Sequence, residues 1–564
     1  MAQGVLTESG AGLRGATASA VLASPLARAA ALGAVGFATR LPLRGVYLFN
    51  WDALQFALGM QHFVLAAHRP HPPGYIGYIW LGRVLTPLAG GDVQAAMSLL
   101  STVAAGLTVA AAYLAGRRLA GEFAGVAAAV VTLTSPLFWF YGETALTYGL
   151  EPLLSLAGFW LALRARRGTR LDVAAAGLGV GLMGAIRPSC ELFLVPVLAV
   201  ATLRRTPAWR MRRPDAALLA AGLAAGTAAW LLPLLAWSGG PIAYLEAGLQ
   251  LGKRVSGGSA LWSAGLGGLA LNLQGVLDGL LLSAGPLLAV ALAWGAAGIL
   301  SRRPGGAPAP PGRREHLLLG SAWVAPALAT FTFVHIGQLA YVLYALPAIA
   351  LLAGPVLLRF AAVVRPGAGA RPLAAYLLAG GALASLAMFL TPMTNLAAEI
   401  HQRDSRVATL RAEVARHPAA STLLLTDPEG PGSYRTAQYY LPEYAAVAVG
   451  RDARGRAGEM FADHGGAPEY SLARFDRAGP LRLPPARVAL VLDATTLDVL
   501  VDAWRLTPIP LGDDLHGRVY SFPIDWRDPP LAHGPYLYAR ASDCAVCAPA
   551  ASRGDGLDRP RGAR

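Results

Sequence analysis

An acid and three histidines fall close together near the start of the chain: Asp52 in Asn50-Trp51-Asp52, His62, and then His68-Arg69-Pro70-His71-Pro72-Pro73-Gly74-Tyr75. Held among Tyr47, Phe49, Trp51 and Phe56 at a membrane boundary, the Asp52 carboxylate would be partly desolvated, which raises its basicity and suits a general base. The same aspartate also fits the N-cap of an interfacial helix beginning at Ala53, and the residues leave both readings open. Paired prolines fix the backbone after His71, and Gly74 permits a sharp re-entry into the next apolar segment. Such a turn holds His68, Arg69 and His71 in one pose. Those side chains could ligate a divalent metal with Asp52, bind a phosphate as cations, or line a solvated interfacial loop.

More polar residues interrupt the apolar runs. Glu143 follows the aromatic anchor Phe138-Trp-Phe-Tyr141, and Glu151 lies two helical turns further on, where both would share a face if the segment were continuous helix. Arg187-Pro188 sits between two apolar segments, and an intramembrane arginine needs a partner. An anionic phosphate is one partner; Glu191, one turn later, is the other. Lys253-Arg254, His335 and Gln338 offer further phosphate contacts.

These groups must be positioned by membrane helices. Of the 564 residues 55% are hydrophobic and only 14% are charged, too apolar for one water-soluble core, and the sequence reads as a polytopic membrane protein of mainly α class. The net charge of +14 does not imply nucleic acid, because the arginines lie in short clusters between apolar runs. Spans are expected near 20–41, 93–115, 122–141, 147–163, 171–187, 189–203, 214–238, 279–300, 317–334, 340–358 and 372–393, about eleven in all. Alternate loops carry most of the arginines, among them Arg117, Arg118, Arg164, Arg166, Arg204, Arg205, Arg302 and Arg313, which makes that set cytoplasmic. The loops 44–92 and 239–278, and everything after Thr394, then fall on the outer face.

Beyond Thr394 the apolar runs shorten to strand length at 422–427, 445–449, 487–493 and 518–522, with helical patterns near 403–416, 434–440 and 495–504. The expected organisation is a cytoplasmic segment 1–19, a membrane domain 20–393 containing the outer loop 44–92, a small extracytoplasmic α/β domain 394–525, and a poorly ordered tail 526–564. The stretch 304–312 reads as a flexible connection. Cys544 and Cys547 have the spacing of half a metal site or a local disulfide, without a second ligand pair. Lys253 is the only lysine, which with abundant alanine and glycine suggests a GC-rich bacterial gene.

The order of these features resembles the GT-C superfamily of membrane glycosyltransferases, of the type that includes the protein O-mannosyltransferases and the lipid A aminoarabinose transferase. The resemblance rests on Trp51-Asp52, the Pro72 to Tyr75 re-entry, Pro136-Leu-Phe-Trp-Phe-Tyr-Gly-Glu143, Arg187-Pro188, and His335 to Tyr341 before Pro347. It implies an inverting transferase that uses a polyprenyl-phosphate sugar, with Asp52 as base and Glu143 as a second outer-loop acid that orients acceptor or metal. Arg69, His71, Arg187, Lys253, Arg254 and His335 are the expected contacts of the donor phosphate. The family often has Asp-Glu where this chain has Asp52-Ala53, and a lysine where it has His71. The expected setting is the bacterial cytoplasmic membrane, with a glycan, lipid or protein acceptor and no nucleic-acid partner. A transporter or flippase for a lipid-linked glycan is the alternative, and it calls for mid-membrane charge and repeat symmetry; an assembly scaffold is a third reading.

Overall fold

The structure is a computed structural model that describes residues 24–205, 212–300, 313–391, 394–426, 433–451, 457–463, 468–469, 488–492, 518–521 and 536–540. The chain divides into two compact units. One comprises Met1–Arg44 and Tyr75–Ala398; the other comprises Gly45–Gly74 and Glu399–Arg564.

The first unit is helical. Among the described residues five helices are long and apolar enough to cross a membrane, at Val93–Ala120, Arg213–Trp237, Leu261–Leu287, Leu339–Val364 and Gly367–Leu390, and shorter apolar helices run at Glu122–Thr134, Pro188–Leu203 and Leu317–Phe333. Val93–Ala120, Arg213–Trp237, Leu339–Val364 and Gly367–Leu390 fall on expected spans, as a helix satisfies its own backbone hydrogen bonds where lipid cannot, whereas Leu261–Leu287 begins well before the expected span 279–300. Proline in the first turn opens Pro25–Ala38, Glu151–Arg167, Pro188–Leu203 and Arg213–Trp237, where the missing N–H costs nothing. Small residues set the closest helix contact. Gly177 and Gly181 of Arg170–Met183 face Gly222 and Gly226 of Arg213–Trp237, and a Cβ on any of them would collide with the opposing backbone.

Three expectations need correction here. The stretch 239–278 is not an open loop: it forms the helix Pro241–Gly257 and the first part of Leu261–Leu300, whose backbone departs from helix at Gly265 and Ala284. Within it Asn272 is buried: its Nδ2 donates to Ser259 O (2.9 Å) and Thr332 O (3.2 Å), and its Oδ1 accepts from Ile336 N (3.2 Å). Glu143 and Glu151 do not share a continuous helix. The helix Pro136–Tyr141 ends before Glu143 and a 3-10 turn at Thr147–Gly149 precedes Glu151. That break is held by hydroxyls of helix Val93–Ala120: Thr102 donates to Gly142 O at 3.0 Å and Ser101 to Leu146 O at 3.3 Å. Thirdly, Asp52 is not the N-cap. Asn50 is, its side chain accepting from Ala53 N at 3.1 Å.

The second unit is an α/β layer. Its seven strands are β1 (Thr422–Thr426), β2 (Ala445–Arg451), β3 (Ala457–Asp463), β4 (Pro468–Glu469), β5 (Val488–Val491), β6 (Arg518–Ser521) and β7 (Tyr536–Arg540), in the order β4-β3-β2-β1-β5-β6-β7. The pairs β2–β1, β1–β5 and β5–β6 are parallel, while β3, β4 and β7 add antiparallel edges. Strand β7 falls inside the stretch expected to be a tail. Buried Leu424, Ala446, Ala448 and Leu490 of the strands meet Leu410 and Val414 of helix Leu396–Val414 and Tyr434 and Ala437 of helix Tyr434–Tyr440, forming one core. The expected helix 495–504, the connection 304–312 and the pair Cys544 and Cys547 lie outside the described residues.

Residues 45–74, expected as part of the membrane domain, belong to this second unit. Within the segment, Val64 and Arg69 exchange backbone hydrogen bonds (2.7 and 3.1 Å) and helix Trp51–Gln61 packs back on Pro70. Gly59 makes that approach feasible, since a Cβ there would lie 2.7 Å from Pro70 N and 2.9 Å from Arg69 C. Gly59→Ala is therefore expected to destabilise this hairpin by about 1–3 kcal/mol, the usual range for overpacking against backbone. It should show as a lower thermal midpoint and faster proteolysis within residues 45–74; an unchanged midpoint and cleavage pattern would contradict the close packing.

Candidate functional site

Asp52 lies in the first turn of helix Trp51–Gln61, where the exposed N–H groups of the helix favour a negative charge. Its Oδ1 is 3.9 Å from Nδ1 of His71, with the Asp52 side chain 23% and the His71 side chain 14% exposed. The Phe56 ring leans on the imidazole with centroids 5.3 Å apart. His71 arrives on the proline turn, in which the Arg69–Pro70 and Pro72–Pro73 peptide bonds are cis and Gly74 N donates to His71 O at 3.0 Å. Arg69 is buried, and His68 takes a left-handed backbone. The structure thus brings together the acid and one of the histidines that the sequence singled out. Among the described residues no group of three His, Cys, Asp or Glu side chains is placed to hold a metal ion, so the expected metal role of His68 and His71 has no ligand set.

Glu143 is buried beside Arg40 in the first unit. The Arg40 guanidinium, itself fully buried, donates to Gly36 O (2.9 Å) and Leu133 O (3.2 Å) and lies over the rings of Phe138 (5.4 Å) and Trp139 (5.0 Å). Burial pushes the Glu143 carboxyl up to about 9, with the Arg40 charge pulling the other way. At neutral pH it is a proton-bearing acid, not an exposed charge between spans.

Arg187 does not pair with Glu191. Its Nε lies 3.0 Å from Glu151 Oε1, its Nη1 donates to Thr147 Oγ1 at 2.9 Å, and its guanidinium packs on Tyr148 (4.4 Å) and Tyr341 (5.5 Å). Arg187 is the residue just before the helix Pro188–Leu203, and Glu191 in that helix's first turn instead accepts from Thr227 on the neighbouring helix. Spacing along the chain suggested the i, i+4 pair, but the extended backbone at Arg187 (φ −149°) takes it out of helical register with Glu191. The aromatic train continues from Tyr141 through Tyr148 to Tyr341, and Tyr141 donates to Gln338 at 3.2 Å.

His335 is half-buried with Nδ1 2.9 Å from Ser259 Oγ, and burial pushes its pKa below the usual imidazole range. Lys253, exposed, and Arg254 occupy the last two turns of helix Pro241–Gly257. Sequence reasoning missed Arg40 as the neighbour of Glu143 and Arg435 of the second unit, whose fully buried guanidinium donates to Ala67 O at 2.7 Å beside the proline turn. A buried arginine among tyrosines carries no periodic signal that distinguishes it from a surface one.

Residues 63–208, which include the proline turn, Glu143, Glu151 and Arg187, match the family described as the protein O-mannosyl-transferase TMEM260 N-terminal domain. The fold is similar to that of ArnT from Cupriavidus metallidurans. In its apo state that structure aligns at a TM-score of 0.51 and 14% identity over 95% of this chain and 99% of that one, and bound to undecaprenyl phosphate at 0.50 and 16% over 74% and 85%. The oligosaccharyltransferase of Archaeoglobus fulgidus, in complex with Zn and sulfate, aligns at 0.42 and 16% identity over 74% of this chain and 61% of that one. No curated protein sequence matches the chain. The helices and this likeness make the chain a multi-pass, mainly helical membrane protein with an ArnT-like fold, and residues 63–208 carry the match to the protein O-mannosyl-transferase family domain.

Because the folded Glu143 carboxyl keeps its proton to about pH 9 while an unfolded glutamate releases it in the ordinary carboxylate range, this group makes the protein less stable as pH rises between those limits. Glu143→Gln removes that decline. The thermal midpoint of the variant relative to the natural protein is expected to climb by several degrees from about pH 5 to about pH 9; a pH-independent difference would contradict the buried neutral acid.

Proposed function

We propose that this protein transfers a hexose or pentose from a polyprenyl-phosphate donor to an acceptor hydroxyl at the outer face of the bacterial cytoplasmic membrane, inverting the anomeric carbon. The observation that carries the reading is the Asp52 carboxylate, three-quarters buried on the first turn of its helix with His71 beside it. The donor class is supported by the similar ArnT, whose structure holds undecaprenyl phosphate. The arginine clusters of the alternate loops support an outer location for residues 45–74 and for the α/β unit.

In this reading Asp52 takes the proton of the acceptor hydroxyl as its oxygen attacks the anomeric carbon. The bond from that carbon to the phosphate oxygen breaks, and polyprenyl phosphate leaves with the electron pair. A leaving phosphate needs cations that stabilise its growing charge. Arg187 is matched by Glu151, and we assign that role to Arg69, on the same turn as His71. His71 is assigned to hold the Asp52 carboxylate in its attacking pose, and Glu143, as a buried acid, to shape the acceptor side.

A general base contributes on the order of 10²–10⁴ in rate. Asp52→Asn, assayed in membranes supplied with polyprenyl-phosphate sugars, is expected to lose transfer by about that factor with normal expression; full transfer would remove Asp52 as the base.

A further inference from the structure

The segment that leads into the helix of Asp52, residues 46–50, is made of bends and irregular backbone, and its contacts to the rest of the unit hold it. Tyr47, Phe49 and Trp51 each meet a different arginine of the α/β unit. Arg411 lies over Tyr47 at 5.8 Å, Arg403 over Phe49 at 5.3 Å, and Arg435 over Trp51 at 5.3 Å. The backbone between them is held as well. Both oxygens of Asp404 accept from the segment, from Val46 N (2.7 Å) and Tyr47 N (2.9 Å), and the hydroxyl of Tyr440 accepts from Leu48 N at 2.6 Å.

Arg435 does more than stack. The same guanidinium donates to Ala67 O at 2.7 Å, one residue before His68, and to Gln438 at 2.6 Å within its own helix. It therefore joins the arm that ends in Trp51-Asp52 to the arm that begins the proline turn of Arg69 and His71. Trp51 in turn packs against the core of the α/β unit, so the residue next to Asp52 is anchored in that domain's interior.

We propose that the α/β unit is a positioning device for the Asp52 loop, with Arg411, Arg403 and Arg435 as positioning residues that set Asp52 and His71 in one geometry. The inference rests on the reading of Asp52 as base. Displacing a reacting group by about 1 Å can cost on the order of 10²-fold in rate without touching the chemistry, which is the scale of effect such a ladder would have. Arginine is suited to it, since its planar group stacks and donates at the same time, and lysine cannot do both.

The test uses the full-length protein in lipid nanodiscs and two readouts, hydrogen exchange of residues 45–74 and steady-state sugar transfer. Arg435→Ala and Trp51→Leu are expected to raise exchange in 45–74 by about tenfold or more and to lower kcat by about 10–100-fold, with the KM for donor within about threefold and exchange in helix Val93–Ala120 unchanged. Arg435→Lys should recover less than half of the lost kcat. Should Arg435→Ala fail to fold, Arg411→Ala at the exposed end of the ladder is expected to show the same pattern at smaller amplitude. Unchanged exchange in 45–74, or a loosened loop with full kcat, overturns the proposal. The Asp52 reading is judged separately: an active Asp52→Asn would sink the base assignment, while the exchange measurement still decides whether the grip exists.

Discussion

A guanidinium stripped of water has to be met on every side, and this protein depends on that constraint in three places. Arg40, Arg187 and Arg435 are each buried, and each is accommodated in the same way, with aromatic faces along the plane of the group and oxygen acceptors at its edge. A cation on an aromatic face in a desolvated setting is worth about 2 kcal/mol, while a buried charge left without partners costs several times that. The rings and carbonyls around each arginine are thereby committed to one arrangement. The break at residues 142–150, the turn at Arg187 and the loop of Asp52 are all places where the backbone leaves regular structure, and a buried arginine stands at each.

Much of the fold was legible in the sequence because the bilayer allows few solutions. Most apolar runs of span length became helices close to where they were expected, and the short apolar runs expected at 422–427, 445–449, 487–493 and 518–522 became strands. Misreadings came where polarity was taken for exposure. The stretch 239–278 was read as a loop although it is helical, and Glu151 was overlooked as the partner of Arg187 because the pair is close in space and distant in sequence. The antiparallel strands β3, β4 and β7 lack the hydrophobic runs of the central strands and left little signal.

The candidate site was legible in part. Asp52 and His71 were found from residue type and from the stiff turn between them, and they do lie together. What the sequence concealed is the ownership of their loop: residues 45–74 fold with the distant C-terminal residues, through contacts that span more than three hundred positions in the chain. Contacts of such separation leave no local pattern. Charge state was equally hidden, since a glutamate that keeps its proton at pH 7 and a histidine whose basicity burial lowers differ from ordinary ones only in burial.

The proposal that most needs testing is that a glycosidic bond to phosphate is broken here, with inversion, rather than a lipid-linked sugar merely being bound or moved. The most direct measurement incubates the purified protein in nanodiscs with polyprenyl-phosphate hexoses and pentoses of known anomeric configuration and an extract of envelope acceptors. Released polyprenyl phosphate and the configuration of the new linkage are then read by mass spectrometry and NMR. The account predicts one polyprenyl phosphate released per sugar transferred and a product of opposite configuration to the donor. Donor that stays intact, or a product that keeps the donor's configuration, would contradict it.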